Sequence, residues 1–350
     1  MTQVLIIADD LAGALDSSVA FAERGLRVIV ALDPGHLAGA LAQGADVVAL
    51  STGSRELSDE DAAAAVGWAC EVVGRFDGIL MKKVDSRLKG PVAAKVDALS
   101  VSVPRPVLPA PAIPRLGRFV IDGAVTGVGV ETPIDVSEIL NRPVAIPDIR
   151  RDEDFDEILP DDLAGTLFIG AVGLAHALAR RLVPARGDDP ARAPLAIAAP
   201  VLVAVGSRDP ITLRQIAALD MDVLVCAPNG AGPDVQRGDL LVVQMVEGAQ
   251  KVAARDAENR FSSGVGALVE RLAPATLFAC GGETAAAILR RLNVGLLELK
   301  GEVLPSLPVS RALDGPVRVD GGLDVVTKSG GFGEPDTLVR LLSAVADRDL

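Results

Sequence analysis

The sequence predicts an α/β protein built from two αβ lobes with mostly parallel sheets. Short apolar runs such as Val4–Ala8 and Val201–Val205 alternate with helical stretches, as expected of strands that are buried on both faces. Several of these runs end in a glycine-rich or polar turn. A proline-rich polar stretch at 184–200 separates two sets of strands, so we expect domains at 1–183 and 201–350 with that stretch as linker. Ligands should bind in a crevice between the lobes.

Composition excludes several classes of function. The chain has 350 residues, of which 49% are hydrophobic and 23% charged, enough for a large core. Its net charge of −13 argues against nucleic acid or an anionic membrane as partner, because both require basic surfaces. No Tyr and one Trp are present, so stacking platforms for bases are not expected. We find no signal peptide and no apolar run long enough to span a membrane.

Cysteine and histidine usage narrows the chemistry further. Cys70, Cys226 and Cys280 lie far apart, with neither a metal-binding spacing nor an even number for a disulfide framework. A reducing cytoplasm is the simplest location for such a protein. The two histidines, His36 and His176, make a histidine metal site or a Ser-His-Asp triad improbable, and we predict no metal held by the protein alone.

The first strand ends in two adjacent carboxylates, Asp9 and Asp10, and a helix follows through Arg24. Asp10 is suited to capping the N-terminus of that helix, and this interpretation is at least as strong as the alternative, a catalytic role. Asp9 is harder to explain as a cap. A carboxylate at the end of a buried strand, facing a sheet crevice, is typical of a residue that binds a ligand or a metal.

Two further strands of the first half also end in polar residues. Arg55 follows the strand Asp46–Leu50, where it could clamp a carboxylate or form a surface ion pair. A third strand, Ile79–Met81, is followed by Lys82, and Asp85 and Ser86 come shortly after. This run could be a solvated loop, but it is more typical of a site for an acidic, hydroxylated small molecule.

The remainder of the first half reads as regular secondary structure with few chemical signals. Phe119–Val130 is predicted to form a hairpin, and Val144–Ile146 a short strand. Helices are predicted over Asp152–Leu159 and Leu174–Leu182.

In the second half, two strands end in glycine-rich turns that precede helices, and a third strand, Val201–Val205, ends in a polar turn before its helix. Glycine turns and helix N-termini bring backbone N–H groups close to bound anions, which predicts a phosphate site, although an ordinary left-handed turn is the alternative. The residues concerned are Gly281, Gly282, Glu283, Thr284, Lys328, Gly330, Gly331 and Gly333.

Seven motifs, in this order along the chain, resemble the four-carbon acid sugar kinase family, which includes threonate, erythronate and 3-oxo-tetronate kinases. They are IIADDLAGALDSS, STGSR, MKKVDSRLKG, PAIPRLGR, VGSRDPITLRQI, CGGETAAAILRRLNV and VVTKSGGFGEPDTLVRLL. The resemblance implies a domain that binds an acid sugar at 1–183 and a nucleotide-binding domain at 201–350. It also implies ATP-dependent phosphorylation of a sugar-acid hydroxyl.

The resemblance implies roles for the residues above. Asp10, Arg55, Lys82 and Ser86 are expected on the substrate side, with Arg55 and Lys82 binding the carboxylate. Asp9, or else Asp85, would accept the proton of the attacking hydroxyl. The glycine turns of the second half, together with Ser207, would hold ATP with Mg²⁺ on its phosphates, and Lys328 would help. A homodimer is a possible assembly.

The chain departs from the family pattern at Ala12, Arg87, Pro91 and Ala171, where the family has Thr, Thr or a similar small residue, Asn and Ser. These changes remove hydroxyls and add a large cation. They leave open an altered substrate or a two-lobed binding protein without catalysis. A nucleotide-cofactor oxidoreductase is the other alternative, but no G-x-G-x-x-G follows a strand.

Overall fold

The computed structural model describes residues 2–73, 76–184, 195–219, 224–233, 235, 238–315 and 322–346. The chain divides into two compact units, Met1–Ala191 and Arg192–Leu350. Most of the predicted linker at 184–200 lies outside the described residues, so the proposed boundary stays a prediction. The predicted class is confirmed, because each unit is an αβ layer structure with a mostly parallel sheet.

The elements of the first unit alternate between strands and helices as the apolar pattern predicts. They are β1 (Val4–Ala8), α1 (Leu11–Ala22), β2 (Val28–Ala31), a 3₁₀ turn (Pro34–His36), α2 (Leu37–Ala42), β3 (Val47–Ser51), α3 (Asp59–Val73), β4 (Ile79–Lys83), α4 (Val92–Ser102), β5 (Val107–Ala110), a 3₁₀ turn (Pro114–Leu116), β6 (Arg118–Ile121), β7 (Ala124–Gly127), β8 (Ile134–Asp135), α5 (Val136–Leu140), α6 (Asp154–Ile158), β9 (Leu167–Gly170) and α7 (Val172–Leu182).

The main sheet of the first unit is parallel, in the order β2-β3-β1-β4-β9-β5. Every residue of β1 is buried, since α1 and α7 cover one face of the sheet and α3 and α4 the other. Ala8 pairs with Ser51 and with Lys83, and Lys83 pairs with Gly170. The carboxyl ends of four neighbouring strands therefore meet along one edge.

The predicted hairpin over Phe119–Val130 is present as β6 and β7, and β8 extends it to a small antiparallel sheet. The strand predicted at Val144–Ile146 is wrong, because that segment has no regular secondary structure. Pro143 and Pro147 flank it, and proline lacks the N–H group that a sheet ladder needs.

The second unit begins again with a buried parallel strand. Its elements are β10 (Val201–Val205), α8 (Pro210–Ala217), β11 (Leu224–Pro228), β12 (Leu240–Val246), α9 (Ala254–Leu272), β13 (Thr276–Cys280), α10 (Gly282–Arg291), β14 (Leu296–Leu304), β15 (Leu307–Ala312), β16 (Asp324–Lys328) and α11 (Thr337–Ala346).

The sheet of the second unit has the order β11-β12-β10-β13-β16-β15-β14. Its first five strands are parallel, and the pairs β15–β16 and β14–β15 are antiparallel. Val205 pairs with Cys280, which in turn pairs with Lys328, so three strands end at the same level. The helices α8 and α11 pack on one face over a core that includes Val203, Phe278 and Val326. None of the helices in the described residues is both long and apolar enough to cross a membrane.

Candidate active site

Asp9 lies at the carboxyl end of β1 between two lysines. Its Oδ1 is 2.5 Å from Nζ of Lys82, and its Oδ2 is 2.8 Å from Nζ of Lys95 on α4. Asp9 is 2% exposed, and both lysines are fully buried. Burial alone would raise the pKa of Asp9, but the two ammonium groups together lower it to about 2. Burial and the Lys82 charge lower the pKa of Lys95 to about 8.

The strand β4 extends through Lys82 and Lys83, two residues beyond its predicted end at Met81. Successive side chains of a strand point to opposite faces, so the two lysines serve different sides of the sheet. The Lys82 ammonium also donates to the carbonyl of Ile7 at 3.2 Å and has no exposed surface. Direct contact of Lys82 with a substrate carboxylate, the role expected from the sequence, does not fit this geometry.

Asp10 is the N-cap of α1, as one of the two alternatives predicted. Its Oδ1 accepts a hydrogen bond from the Gly13 N–H at 2.7 Å, and its Oδ2 lies 2.7 Å from Nη1 of Arg55. A methyl group at Gly13 would lie 3.3 Å from Nζ of Lys83. Because Arg55 already pairs with Asp10, it offers a substrate only the remaining part of its guanidinium group.

Asp16 lies on α1, six residues after Asp10, and it was not identified from the sequence. Burial raises the pKa of Asp16 to about 7, and the nearby charge of Lys83 only partly opposes this rise. Burial also lowers the pKa of Lys83, against the charges of Asp10 and Asp16. The two faces of β4 therefore carry separate networks of ionisable groups.

The loop after β4 carries Asp85, Ser86 and Arg87. Asp85 is half-buried, and its Oδ1 accepts a hydrogen bond from the Arg87 N–H at 2.8 Å. Ser86 is 5% exposed, and its Oγ accepts a hydrogen bond from Nη1 of Arg118 at 2.7 Å. Of the two carboxylates predicted as proton acceptors, Asp85 is the more accessible.

Two of the departures from the family pattern lie at helix N-termini. Ala171 is the N-cap of α7 and Pro91 the N-cap of α4, and neither helix has a side-chain cap. The Ser and Asn usual at these positions are good N-cap residues. Ala171 and Pro91 therefore lack a side-chain oxygen that could cap the helix, in addition to one that could contact a substrate.

In the second unit, three turns follow the strands that end at Val205, Cys280 and Lys328. A methyl group at Gly330 would lie 2.1 Å from Oγ of Ser207, and one at Gly206 would lie 2.1 Å from Oγ1 of Thr284. A side chain at Gly206 would overlap Thr284, whose Cβ would lie 2.9 Å away, and one at Gly330 would require Ser207 to turn aside. The three turns predicted separately from the sequence are thus packed against one another.

The N–H groups in these turns are not all available to a ligand. Gly281 has φ +109° and donates its N–H to the carbonyl of Lys328 at 2.8 Å. Gly282, Glu283 and Thr284 form the first turn of α10, whose N–H groups have no acceptor within the helix. In the third turn, as far as the described residues show, the N–H groups of Gly330, Gly331 and Gly333 donate no hydrogen bond, whereas that of Phe332 donates to the carbonyl of Ser329 at 3.3 Å.

Lys328 occupies a different place from the one predicted. It is 1% exposed, and its Nζ donates to Oγ1 of Thr212 at 3.2 Å and to the carbonyls of Ser329 and Gly330 at 3.0 and 3.3 Å. Burial lowers the pKa of Lys328, against the influence of Cys280 and Asp209. The lysine holds the glycine turn from inside the unit instead of presenting its charge to a phosphate.

A cavity of about 740 Å³ opens beside these turns. Met245 and Val246 at the end of β12, Val252, and the start of α9 line it. Arg208, the residue after Ser207, lies at its edge and pairs with Glu247 at 3.0 Å. The cavity therefore adjoins the glycine turns through the 207–208 segment.

Several residues of these networks were not identified from the sequence, although some left a signal. Lys95 lies on the buried stripe of α4 with Val92, Val96 and Leu99, and a lysine within an apolar stripe indicates a buried partner. Thr212 Oγ1 donates to the carbonyl of Gly330 at 2.7 Å, a contact between residues 118 positions apart that no local pattern reveals.

Among the described residues, no group of three or more His, Cys, Asp or Glu side chains could hold a metal ion. Any Mg²⁺ at this site would depend on ligands from a bound nucleotide as well as from the protein.

Two family models match separate parts of the chain. Residues 4–155 match the model of a sugar-binding N-terminal domain, and residues 234–338 match that of a nucleotide-binding C-terminal domain. A Salmonella typhimurium protein of known structure covers 100% of both chains with a TM-score of 0.79 at 18% identity. A Haemophilus influenzae structure has a TM-score of 0.69 at 16% identity and covers 99% of this chain and all of its own. These structures support the fold.

Relatives of assigned activity extend over nearly the full length. A D-threonate kinase of Cupriavidus necator is 30% identical and covers 98% of both chains. A D-threonate kinase of Bordetella bronchiseptica is 29% identical over 98% of this chain and 97% of its own. A D-erythronate kinase of Heliobacterium modesticaldum is 22% identical over 96% and 95%. On both the domain matches and these full-length relatives, the chain belongs to the four-carbon acid sugar kinase family.

Proposed function

We propose that the protein is an ATP-dependent kinase that phosphorylates a hydroxyl of a four-carbon sugar acid. The observation that carries this proposal is the packing of three turns at register-matched ends of β10, β13 and β16. Glycines that exclude side chains, free N–H groups and the N-terminus of α10 together make a cradle suited to phosphates. The D-threonate and D-erythronate kinases among its relatives point to the acceptor class.

The nucleotide would be held by the second unit. The N–H groups of Gly330 and Gly331 would bind its phosphates, and the cavity beside Arg208 would take the nucleoside against Met245 and Val252. ATP supplies the phosphoryl group, and Mg²⁺ on its phosphates offsets their charge. Lys328 contributes by fixing the turn.

The acid would be held by the first unit at the edge where β1, β3 and β4 end. Asp85 is the better proposal for the group that accepts the hydroxyl proton, because its carboxylate is partly accessible. Asp9, which the sequence favoured, has a pKa of about 2 and both oxygens paired with lysines. Its proposed role is to position Lys82 and Lys95 and to balance their charge.

An assay of ADP formation tests the function. Purified protein with ATP and Mg²⁺ should release ADP in the presence of D-threonate, D-erythronate or a stereoisomer of either, and much less in their absence. Acid-dependent stabilisation against heat without ADP release would instead indicate the non-catalytic binding protein. An assembly as a homodimer and a cytoplasmic location stay predictions.

A further inference from the structure

The cations at the substrate edge of the first unit divide into paired and unpaired groups. Lys82 and Lys95 are matched by Asp9, and Arg55 is matched by Asp10. Arg87 and Arg118 form no ion pair within the described residues. An acid substrate brings a carboxylate that needs a cation. Lys83 also forms no ion pair within the described residues, but it is buried toward α1, so the two guanidinium groups are the better candidates.

The two guanidinium groups converge on one point. A methyl group at Gly129 would lie 3.7 Å from Nη2 of Arg118 and 3.9 Å from Nη1 of Arg87. Arg118 is held in place by two hydrogen bonds, from its Nη1 to Oγ of Ser86 at 2.7 Å and from its Nε to the carbonyl of Val128 at 2.9 Å. These bonds leave its Nη2 directed toward the same place as Arg87.

Like charges in such proximity are unfavourable unless an anion joins them. Burial and the charge of Arg87 lower the pKa of Arg118, and Asp85 opposes this change. The oxygens of Asp85 do not come within ion-pair distance of either guanidinium group among the described residues, and its Oδ1 accepts the backbone N–H of Arg87. An oxyanion placed between Arg87 and Arg118 would relieve the repulsion and receive donors from both.

We propose that Arg87 and Arg118 together bind the carboxylate of the acid substrate, with Arg87 as the specificity-determining residue of this chain. The inference rests on the proposed function and names the group of the protein that recognises the acid. Arg87 stands where the family resemblance implies a small residue, so the large cation supplies a function here instead of obstructing the site. Lys82 and Arg55, which pair with Asp9 and Asp10, then stabilise the ends of the strands instead of binding the acid.

The test measures acid binding without nucleotide. Titration calorimetry would compare wild type and Arg87→Met with D-threonate and D-erythronate, and with threitol and erythritol as analogues that lack the carboxylate. Loss of a charged hydrogen-bonding partner should weaken acid binding about 10- to 100-fold. The neutral analogues should bind both proteins equally weakly. Arg87→Lys should fall between the two, because it keeps the charge but not the planar fork.

A matched control is Arg181→Met, which removes an exposed arginine of α7 from the same unit. It should leave acid affinity unchanged. Wild-type acid affinity in a folded Arg87→Met protein would overturn the inference, as would failure of both acids to bind the wild type. A loss confined to ATP affinity would overturn it too, since the oxyanion would then be a phosphate.

The outcomes separate this inference from the proposed function. If no acid yields ADP, but the acids bind the wild type more tightly than Arg87→Met by the expected factor, the kinase activity fails and the carboxylate site stands. If ADP forms and the KM for the acid is the same in Arg87→Met, the kinase activity stands and the carboxylate site fails.

Discussion

Asp9 illustrates how strongly its neighbours determine what one carboxylate can do. A carboxylate at the end of a buried strand needs either a function or a partner, and Asp9 has two ammonium partners. Removing one member of a buried charge cluster leaves the others uncompensated, which is the costly case for buried ion pairs. Asp9 therefore contributes to stability first.

For Asp9→Asn we expect a loss of unfolding free energy of about 3 kcal/mol or more, because Lys82 and Lys95 lose their counter-charge. Thermal unfolding measures this loss, and Asp10→Asn, which keeps the cap of α1, is the control. A 100-fold loss of turnover at an unchanged melting temperature would instead restore Asp9 as the proton acceptor.

The lowered pKa of Asp9 also predicts how the stability of the protein depends on pH. The pKa of Asp9 is about 2 in the folded protein against 3.8 ordinarily, so the unfolded chain binds its proton more readily. The resulting stabilisation, about 2 kcal/mol, is fully present above pH 4 or so and is lost as pH falls through about 2. Denaturation midpoints between pH 5 and pH 2 should fall less steeply in Asp9→Asn than in the wild type.

Asp85 should be the residue whose replacement affects chemistry. Asp85→Asn keeps the acceptor for the Arg87 N–H and so should preserve the loop, while it removes the basic oxygen. Turnover should fall about 10²- to 10⁴-fold, the usual contribution of a general base, with little change in ATP affinity. Asp135→Asn is a matched control, because Asp135 likewise accepts a backbone N–H, that of Glu138. Near-normal turnover in Asp85→Asn would exclude Asp85 as the proton acceptor.

At the scale of single elements, the strand β4 and the glycine turn after β16 show how local backbone geometry determines which groups face a ligand site. A strand presents alternate side chains to opposite faces, so one extra pair of residues puts Lys82 toward Asp9 and α4, and Lys83 toward α1. The turn after β16 has its shape fixed by Lys328 and Thr212, which bind its carbonyls. Its N–H groups are thereby left for a ligand.

Gly331→Val tests this turn. A methyl group at Gly331 would lie 3.2 Å from Oδ2 of Asp209, and the branched side chain would cover the free N–H groups. ATP affinity measured by calorimetry should fall about tenfold or more, since hydrogen bonds to charged groups are strong. The affinity of Gly331→Val for the acid should equal that of the wild type. Gly67→Val in α3, where open space surrounds the glycine, is the control. Unchanged ATP affinity would remove the turn from the site.

At the scale of the whole molecule, the proposed division is one ligand per unit. Each unit contributes its own group of parallel strands, and each presents its polar side chains or free N–H groups where these strands end. Substitutions in the second unit should then change the affinity for the nucleotide and leave the affinity for the acid unchanged.

Val252→Trp tests this division, because the indole would fill part of the cavity beside Arg208. ATP affinity should fall about tenfold or more, while binding of D-threonate or D-erythronate stays at the wild-type level. Val101→Trp, at a residue of the first unit that is 84% exposed, is the matched substitution and should change neither. Equal ATP affinity in Val252→Trp and wild type would exclude the cavity as the nucleoside site.

The sequence by itself determined the features that depend on local pattern. Apolar runs predicted the buried strands, and the order of the motifs predicted the family. The glycine turns led to the phosphate site that we propose. Asp10 as a helix cap also follows from local rules, because a cap contacts a backbone N–H only three residues away. The hairpin of β14 and β15 was missed, since its strands lack a clear turn signal.

Only the tertiary structure decided which side chains are free to act. Lys82 and Arg87 are both cations in one short polar run, yet Lys82 is fully buried against Asp9 whereas Arg87 meets Arg118 from another strand. Lys328 likewise turns inward to Thr212, 116 residues away. Pairing of charges depends on distances between segments remote in sequence, and a local pattern contains no information on those distances.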